Sequence, residues 1–350
     1  MLSKWVKLKL IRMPSIWLIL FALASLLASL GGVFPENLVE RYYSKSVYPF
    51  LSSMMSRLAD AVDFALIDAF LVVLSILICW LFYHRKFMNL AKVMAATYLF
   101  FFWTWGLNYH RSPVVSKVDF DNTRVNEENL ERLTSFVAMQ LNELYAHRET
   151  AIYDREELSI HAADRVAQVV QELDGISWRA NGRVKSSWVL EPLLKAAGVD
   201  GMFNPFGHEP LVLSDVLEFD QPMIVAHEMA HVRGYSEEGD ANFVALMACV
   251  NDNDPLVRYS GWLTMWLYLS WQNADSMLDE GPRRDLAALF DRRLVNRINW
   301  ISWLHGRIFD FFLRANQVKS GIRSYSQIVH LALGTELSWA RFAERSGQSH

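Results

Sequence analysis

The sequence predicts a mainly α protein (α+β with one small sheet), in which three N-terminal transmembrane helices hold a second, helical domain outside the cytoplasm. Three observations lead there. Of 350 residues, 52% are hydrophobic and 13% aromatic, with 13 tryptophans, a content that points to membrane contact. The apolar residues concentrate before residue 110 in three runs of about 20 residues, the length of a membrane-spanning helix. Beyond that point charges become frequent and apolar residues recur at helical spacing.

The first run, Pro14 to Phe34, has no charge. It is long for a signal peptide and no small-residue cleavage site follows it, so an anchor is expected. The second, Phe64 to Tyr83, is broken only by Asp68, and the third, Leu90 to Tyr109, carries Lys92 near its start. Lys4, Lys7, Lys9 and Arg12 precede the first run; Arg85, Lys86 and Lys92 fall around the junction of the other two. Basic residues mark the cytoplasmic side. A multi-pass protein of the cell (inner) membrane is therefore expected, N-terminus inside, with everything after about Tyr109 outside. Asp63 and Asp68 read as interface residues rather than functional acids.

A domain boundary is expected at 111/112, separating a membrane domain (1–111) from an extracytoplasmic one (112–350). "SPVVSKVDFDNTRVN", from Ser112, reads as a linker. Helices follow over Glu127–His147, capped by Asn126, and over Glu156–Leu173, ending before Gly175. "GMFNPFGHEP" is turn chemistry leading into a short strand, Leu211–Ser214. After the stop "NDNDP", residues 256–272 are slightly short for a span and contain Arg258. A core helix, or one resting on the membrane surface, is favoured over a fourth span. Two further helices are expected, one over Arg283–Arg314 and one over Tyr325–Leu333.

Composition also excludes. A net charge of −4 without a basic stripe argues against nucleic-acid partners, and two cysteines give no disulfide framework.

The chemistry concentrates in "VAHEMAHVRGYSEEGDANF", Val225 to Phe243. Pro222 suits the first turn of a helix and Gly234 its left-handed end. On that helix His227 and His231 lie four apart and project from one face, the spacing that lets two imidazoles meet one zinc ion. Glu228 lies about 100° round the helix, where a carboxylate can act as general base rather than ligand. The neighbours are apolar, so these polar groups need partners. A single zinc with an acidic third ligand supplies them. Counting as in the extended HExxHxxGxxH pattern selects Glu237. The alternative is a second helix that presents Glu238, with Asn242 four residues on orienting a ligand from behind; Glu238 is favoured because Asn242 shares its face. Asp240 reads as a surface or capping charge. Tyr259, His208 and Tyr325 are candidates for stabilising an oxyanion, and "EPLVLS" for an edge strand that pairs with an extended peptide substrate.

"HEMAH" followed by "EGDANFVA" resembles the Glu-zincin pattern, in which a Glu-x-x-Ala-Asp/Asn helix gives the third ligand; here that selects Glu238, Ala241 and Asn242. Many Glu-zincins have aspartate where this chain has Asn242. "FFWTWGLNYHR", the opening motif, "RYSGWL" and "LRANQVKSGIRSYSQIVHLAL" resemble, in order, the bacterial membrane-protein family known as domain of unknown function 3810. The resemblance implies a zincin-like domain anchored in the lipid bilayer, a zinc metallopeptidase acting on peptides or proteins. It also places Asn316 and Arg323 along the cleft. A non-enzymatic assembly or sensor protein with a structural zinc is the rival expectation.

Overall fold

A computed structural model describes residues 2–148, 154–178, 182–269, 274–315 and 327–335. Helices dominate. The first is α1 (Leu2–Leu30); α2 (Glu36–Leu38) continues through a π-helical stretch (Val39–Val47) into α3 (Tyr48–Asp60). Then come α4 (Leu66–Tyr83), α5 (Phe87–Thr104), α6 (Glu127–Tyr145), α7 (Arg155–Asp174) and α8 (Glu191–Ala197). A hairpin of β1 (Gly201–Asn204) and β2 (Glu209–Val212) precedes α9 (Gln221–Val232), α10 (Glu238–Val250) and α11 (Pro255–Leu269). The last helices are α12 (Glu280–Val295), α13 (Asn299–Ala315) and α14 (Gln327–Gly334).

Among the described residues, one helix, α4, is long and apolar enough to cross a membrane. Val73 and Ile76 on it are 63% and 65% exposed, so little of its apolar surface is covered by protein. The expected three spans thus reduce to one clear candidate. The described apolar part of the first run, Ile16–Leu30, is shorter than a span. Helix α5 includes Asn89, Lys92 and Thr97 and stops at Thr104, where Gly106–His110 tightens into a 3-10 turn.

The core is built on α9 and α10, which pack against each other and against α7 and α11. Ala230, Val232, Ala241, Phe243 and Val244 are fully buried there. Residues from before position 111 join the same core: Tyr48, Phe102, Trp105 and Leu107. The stretch from Ser112 is packed as well, with Val114 wholly buried. One of its charges, Lys117, is satisfied inside the protein. Lys117 Nζ lies 2.6 Å from Glu40 and 2.7 Å from Asp174, and Arg111 reaches the same two acids at 3.1 and 2.9 Å. Asp68 is a tether: its carboxylate accepts from Ser187 Oγ and from the Trp188 amide at 3.1 Å.

Helix α6 is capped by Asn126, which accepts from the Asn129 amide at 2.9 Å, and α7 ends at Gly175 with φ of 69°. The strand lies two residues earlier than its pattern suggests, and its partner β1 occupies the start of the segment read wholly as a turn. Two four-residue strands around a tight turn leave too short an alternation to read. Helix α11 is a core helix, burying Tyr259, Trp262 and Trp266. The region read as one helix over 283–314 is two, α12 and α13; between them the Ile298 amide donates to Ala196 O of α8 at 2.9 Å.

Candidate metal centre

Helix α9 ends where its carbonyls find side-chain donors. Tyr48 Oη donates to Val232 O at 2.8 Å, Ser52 Oγ to the same oxygen at 3.1 Å, and Trp105 Nε1 to His231 O at 3.3 Å. Gly234 then turns the chain with φ of 80°, and a Cβ there would meet the Tyr48 ring at 2.8 Å. Glycine is required for both reasons. The turn brings the first residue of α10, Glu238, back over the exit of α9.

His227, His231 and Glu238 converge. His227 Nε2 lies 3.1 Å from His231 Nε2 and 3.2 Å from Glu238 Oε2; His231 Nε2 lies 3.6 Å from Glu238 Oε1. Ligand atoms about 2.1 Å from a tetrahedral zinc are separated by roughly 3.4 Å, so the triangle fits that ion. His231 Nδ1 lies 2.6 Å from Tyr235 O. A carbonyl only accepts, so in the neutral imidazole Nδ1 carries the proton and Nε2 is left with the lone pair that a metal would use. In the metal-free protein burial opposes charge on His231, but Glu238 outweighs it and raises the pKa to about 9. Burial likewise opposes ionisation of Glu238, and the two histidines overcome it, holding the carboxyl well below the usual range.

Glu228 is buried and Oε2 has no partner among the described residues. Burial, reinforced by Glu238 and opposed by the histidines, pushes its pKa up to about 7. It fits only because residue 201 is glycine: a Cβ at Gly201 would stand 2.5 Å from Glu228 Oε1. Glu237 faces elsewhere. Burial and the nearby Asp240 and Glu36 raise it to about 7, and it is not part of the ligand triangle.

These groups line a cleft of about 600 Å³ whose walls include Trp105, Tyr109, Phe203, Ile224, Leu267 and Tyr268. The open edge in its wall belongs to β1. Val212 N donates to Lys185 O, and Lys185 N to Pro210 O. Pro210 and Val212 therefore turn their backbone groups away from β1, and by strand alternation Gly201 and Phe203 turn theirs to the free edge. The "EPLVLS" edge expected to receive a substrate is taken by the Lys185 segment.

A family model described as "Protein of unknown function (DUF3810)" matches residues 43–333. The chain belongs to that family. No curated protein and no solved structure matches it. The DUF3810 match takes in α3, the whole of α4 and α5, both helices of the candidate metal centre and every cleft-lining residue named above.

Within this DUF3810 chain two further expected site residues, Tyr259 and His208, lie apart from the cleft. Tyr259 is buried in the core, its hydroxyl donating to Asp285 at 2.8 Å. His208 sits in the hairpin turn with φ of 52°, tilted against the Tyr48 ring and edge-on to Phe203; burial lowers its pKa to about 4. Tyr325, Asn316 and Arg323 lie outside the described residues. Asn242 lines the cleft beside the Tyr268 hydroxyl rather than behind a described ligand. Asp240 is buried, accepting from the Val114 amide at 3.0 Å, and is not a surface charge. Sequence reasoning missed Tyr235, Gly201 and Tyr268. The first acts through its backbone and the second through an absent side chain. Tyr268 lies 41 residues from His227, on a helix read only for its apolar content.

Proposed function

We propose that this protein is a membrane-anchored zinc metallopeptidase that hydrolyses peptide bonds outside the cytoplasm. The observation that carries the reading is the triangle of His227 Nε2, His231 Nε2 and a Glu238 carboxylate oxygen with edges of 3.1, 3.2 and 3.6 Å, set in a cleft beside a buried, unpartnered Glu228. Zinc, when bound, supplies a Lewis acid that acidifies water and polarises a carbonyl. Glu228, poised near neutrality by burial, takes the proton of the attacking water and hands it to the leaving amine. The free edge of β1 offers the Gly201 and Phe203 backbone groups to an extended peptide. Tyr268, whose pKa burial and Glu238 push up to about 12, keeps its proton and can donate it in a hydrogen bond to the developing oxyanion. It replaces Tyr259 and His208 in that role.

A closed structural site needs a fourth protein ligand; the ligand group among the described residues has three members. For the anchor, α1 and α5 join α4 as spans in this reading, oriented by the basic residues in the first turns of α1 (Lys4, Lys7, Lys9 and Arg12) and between α4 and α5. Metal analysis of the purified full-length protein and a peptidase assay with Glu228→Gln test the proposal. One zinc per chain and loss of hydrolysis in the variant are expected. A protein that takes up no zinc, or unchanged hydrolysis in Glu228→Gln, overturns it.

A further inference from the structure

Helix α13 is built inside out. Trp300, Trp303, Leu304 and Ile308 are 65%, 66%, 41% and 59% exposed, and at 100° per residue they share an arc of about 140°. The opposite face carries Ser302, His305 and Gly306, which are half-buried, and His305 lines the cleft. Neighbouring α8, against which α13 packs, adds exposed Leu193 and, just before it, Trp188. A contiguous aromatic face of this kind marks an interaction site.

The fold says what covers it. Trp188 is the residue whose amide binds Asp68, the third residue of α4, and α4 is the helix fit to cross a membrane. The α8–α13 surface is thus tied to the level at which that span begins. Paired tryptophans with an arginine inside the same arc (Arg307, also exposed) suit the boundary between headgroups and acyl chains, where the stem lies along apolar surface and the guanidinium reaches the headgroups. A 17-residue helix containing Arg307 and Asp310 is too short and too charged to span. We propose that α13 lies in the outer interface of the bilayer, its tryptophan face among headgroups and upper acyl chains, so that the cleft beside His305 opens at the membrane surface. Substrates would then be polypeptide segments held at or near the lipid surface. The inference rests on the membrane-anchored reading, and its lipid contact is independent of the metal chemistry.

Full-length protein is reconstituted in vesicles of phosphatidylethanolamine and phosphatidylglycerol. Trp303→Cys, in a Cys79→Ser background, carries an environment-sensitive fluorophore; Arg132→Cys, an exposed position on α6, is the reference. The expected result is a blue-shifted emission at 303, quenched severalfold more by headgroup-level spin-labelled lipid than the label at 132, and severalfold less by iodide. Quenching by iodide equal to that at 132 overturns the proposal. So does shielding from both quenchers, as under a second copy or the chain's own C-terminal residues. Alkaline carbonate separates the two readings. Release of the protein from vesicles refutes the anchor itself; retention with an iodide-accessible label refutes only the docking of α13.

Discussion

Gly201→Ala isolates the position of Glu228, the proposed general base, from everything else in the site. The added Cβ would stand 2.5 Å from Glu228 Oε1, 3.1 Å from its Cδ and 3.0 Å from Ile224 Cγ2. Carbon contacts become favourable only near 3.5 Å, so the carboxylate must retreat by about 1 Å. The strand cannot yield instead, because β1 is paired along its length with β2. The atom displaced is the end of a side chain, which keeps the stability cost near about 1 kcal/mol, the low end of overpacking. A misplacement of about 1 Å at a reacting group costs on the order of 100-fold in rate. His227, His231 and Glu238 are not among the atoms met, so zinc stays bound. Zinc content and hydrolysis of a quenched-fluorescent peptide mixture are measured side by side in wild type, Gly201→Ala and Glu228→Gln. Rates within twofold of wild type refute the reasoning, and so does loss of zinc in Gly201→Ala.

Two further outcomes follow from the geometry. Arg111→Met removes the guanidinium that bridges Glu40 and Asp174 and lies over the Tyr235 ring; with Lys117 still in place, the loss is about 3 kcal/mol, the lower end for a broken buried pair. Denaturant unfolding reads it, and a change under 1 kcal/mol contradicts the network's role. Zinc binding must expel the proton that Glu238 holds on His231, whose metal-free pKa is about 9. Below that pH the proton competes, so affinity falls about tenfold for each unit from pH 8 to pH 6, while Glu238 stays ionised throughout. Calorimetry in buffers of different ionisation enthalpy should count about one proton released per zinc; flat affinity across that range contradicts the assignment.

The helical class, the caps of α6 and α7 and the two helices of the metal centre were legible because each rests on a local pattern. His227 and His231 lie on one face by helical spacing alone. The choice of Glu238 over Glu237 needed the turn at Gly234, which sequence marks, and the packing of α10 on α9, which it does not. The membrane region was only partly legible from composition: among the described residues one helix, α4, has the length and hydropathy of a span. Runs counted by apolar length include the polar positions of α5 and the 3-10 turn at Gly106–His110, and Trp105 and Tyr109 belong to the cleft. The supposed linker after Ser112 looked solvated because the partners of Lys117, Glu40 and Asp174, are distant in sequence. Tyr259 was one of three oxyanion candidates, and only the fold shows Asp285 holding it; Tyr268, two and a half turns further along α11, is the one that reaches the cleft.

The central claim is that Glu238 completes a zinc site with His227 and His231. Zinc affinity measured by competition with a chromogenic chelator, for wild type, Glu238→Ala and Glu237→Ala, tests it most directly. Loss of an outer-shell partner alone costs 10–100-fold in metal affinity, so loss of a ligand is expected to exceed about 100-fold. The account predicts that fall in Glu238→Ala, with Glu237→Ala binding as wild type does. Zinc retained within tenfold by Glu238→Ala, or lost by Glu237→Ala, would contradict it.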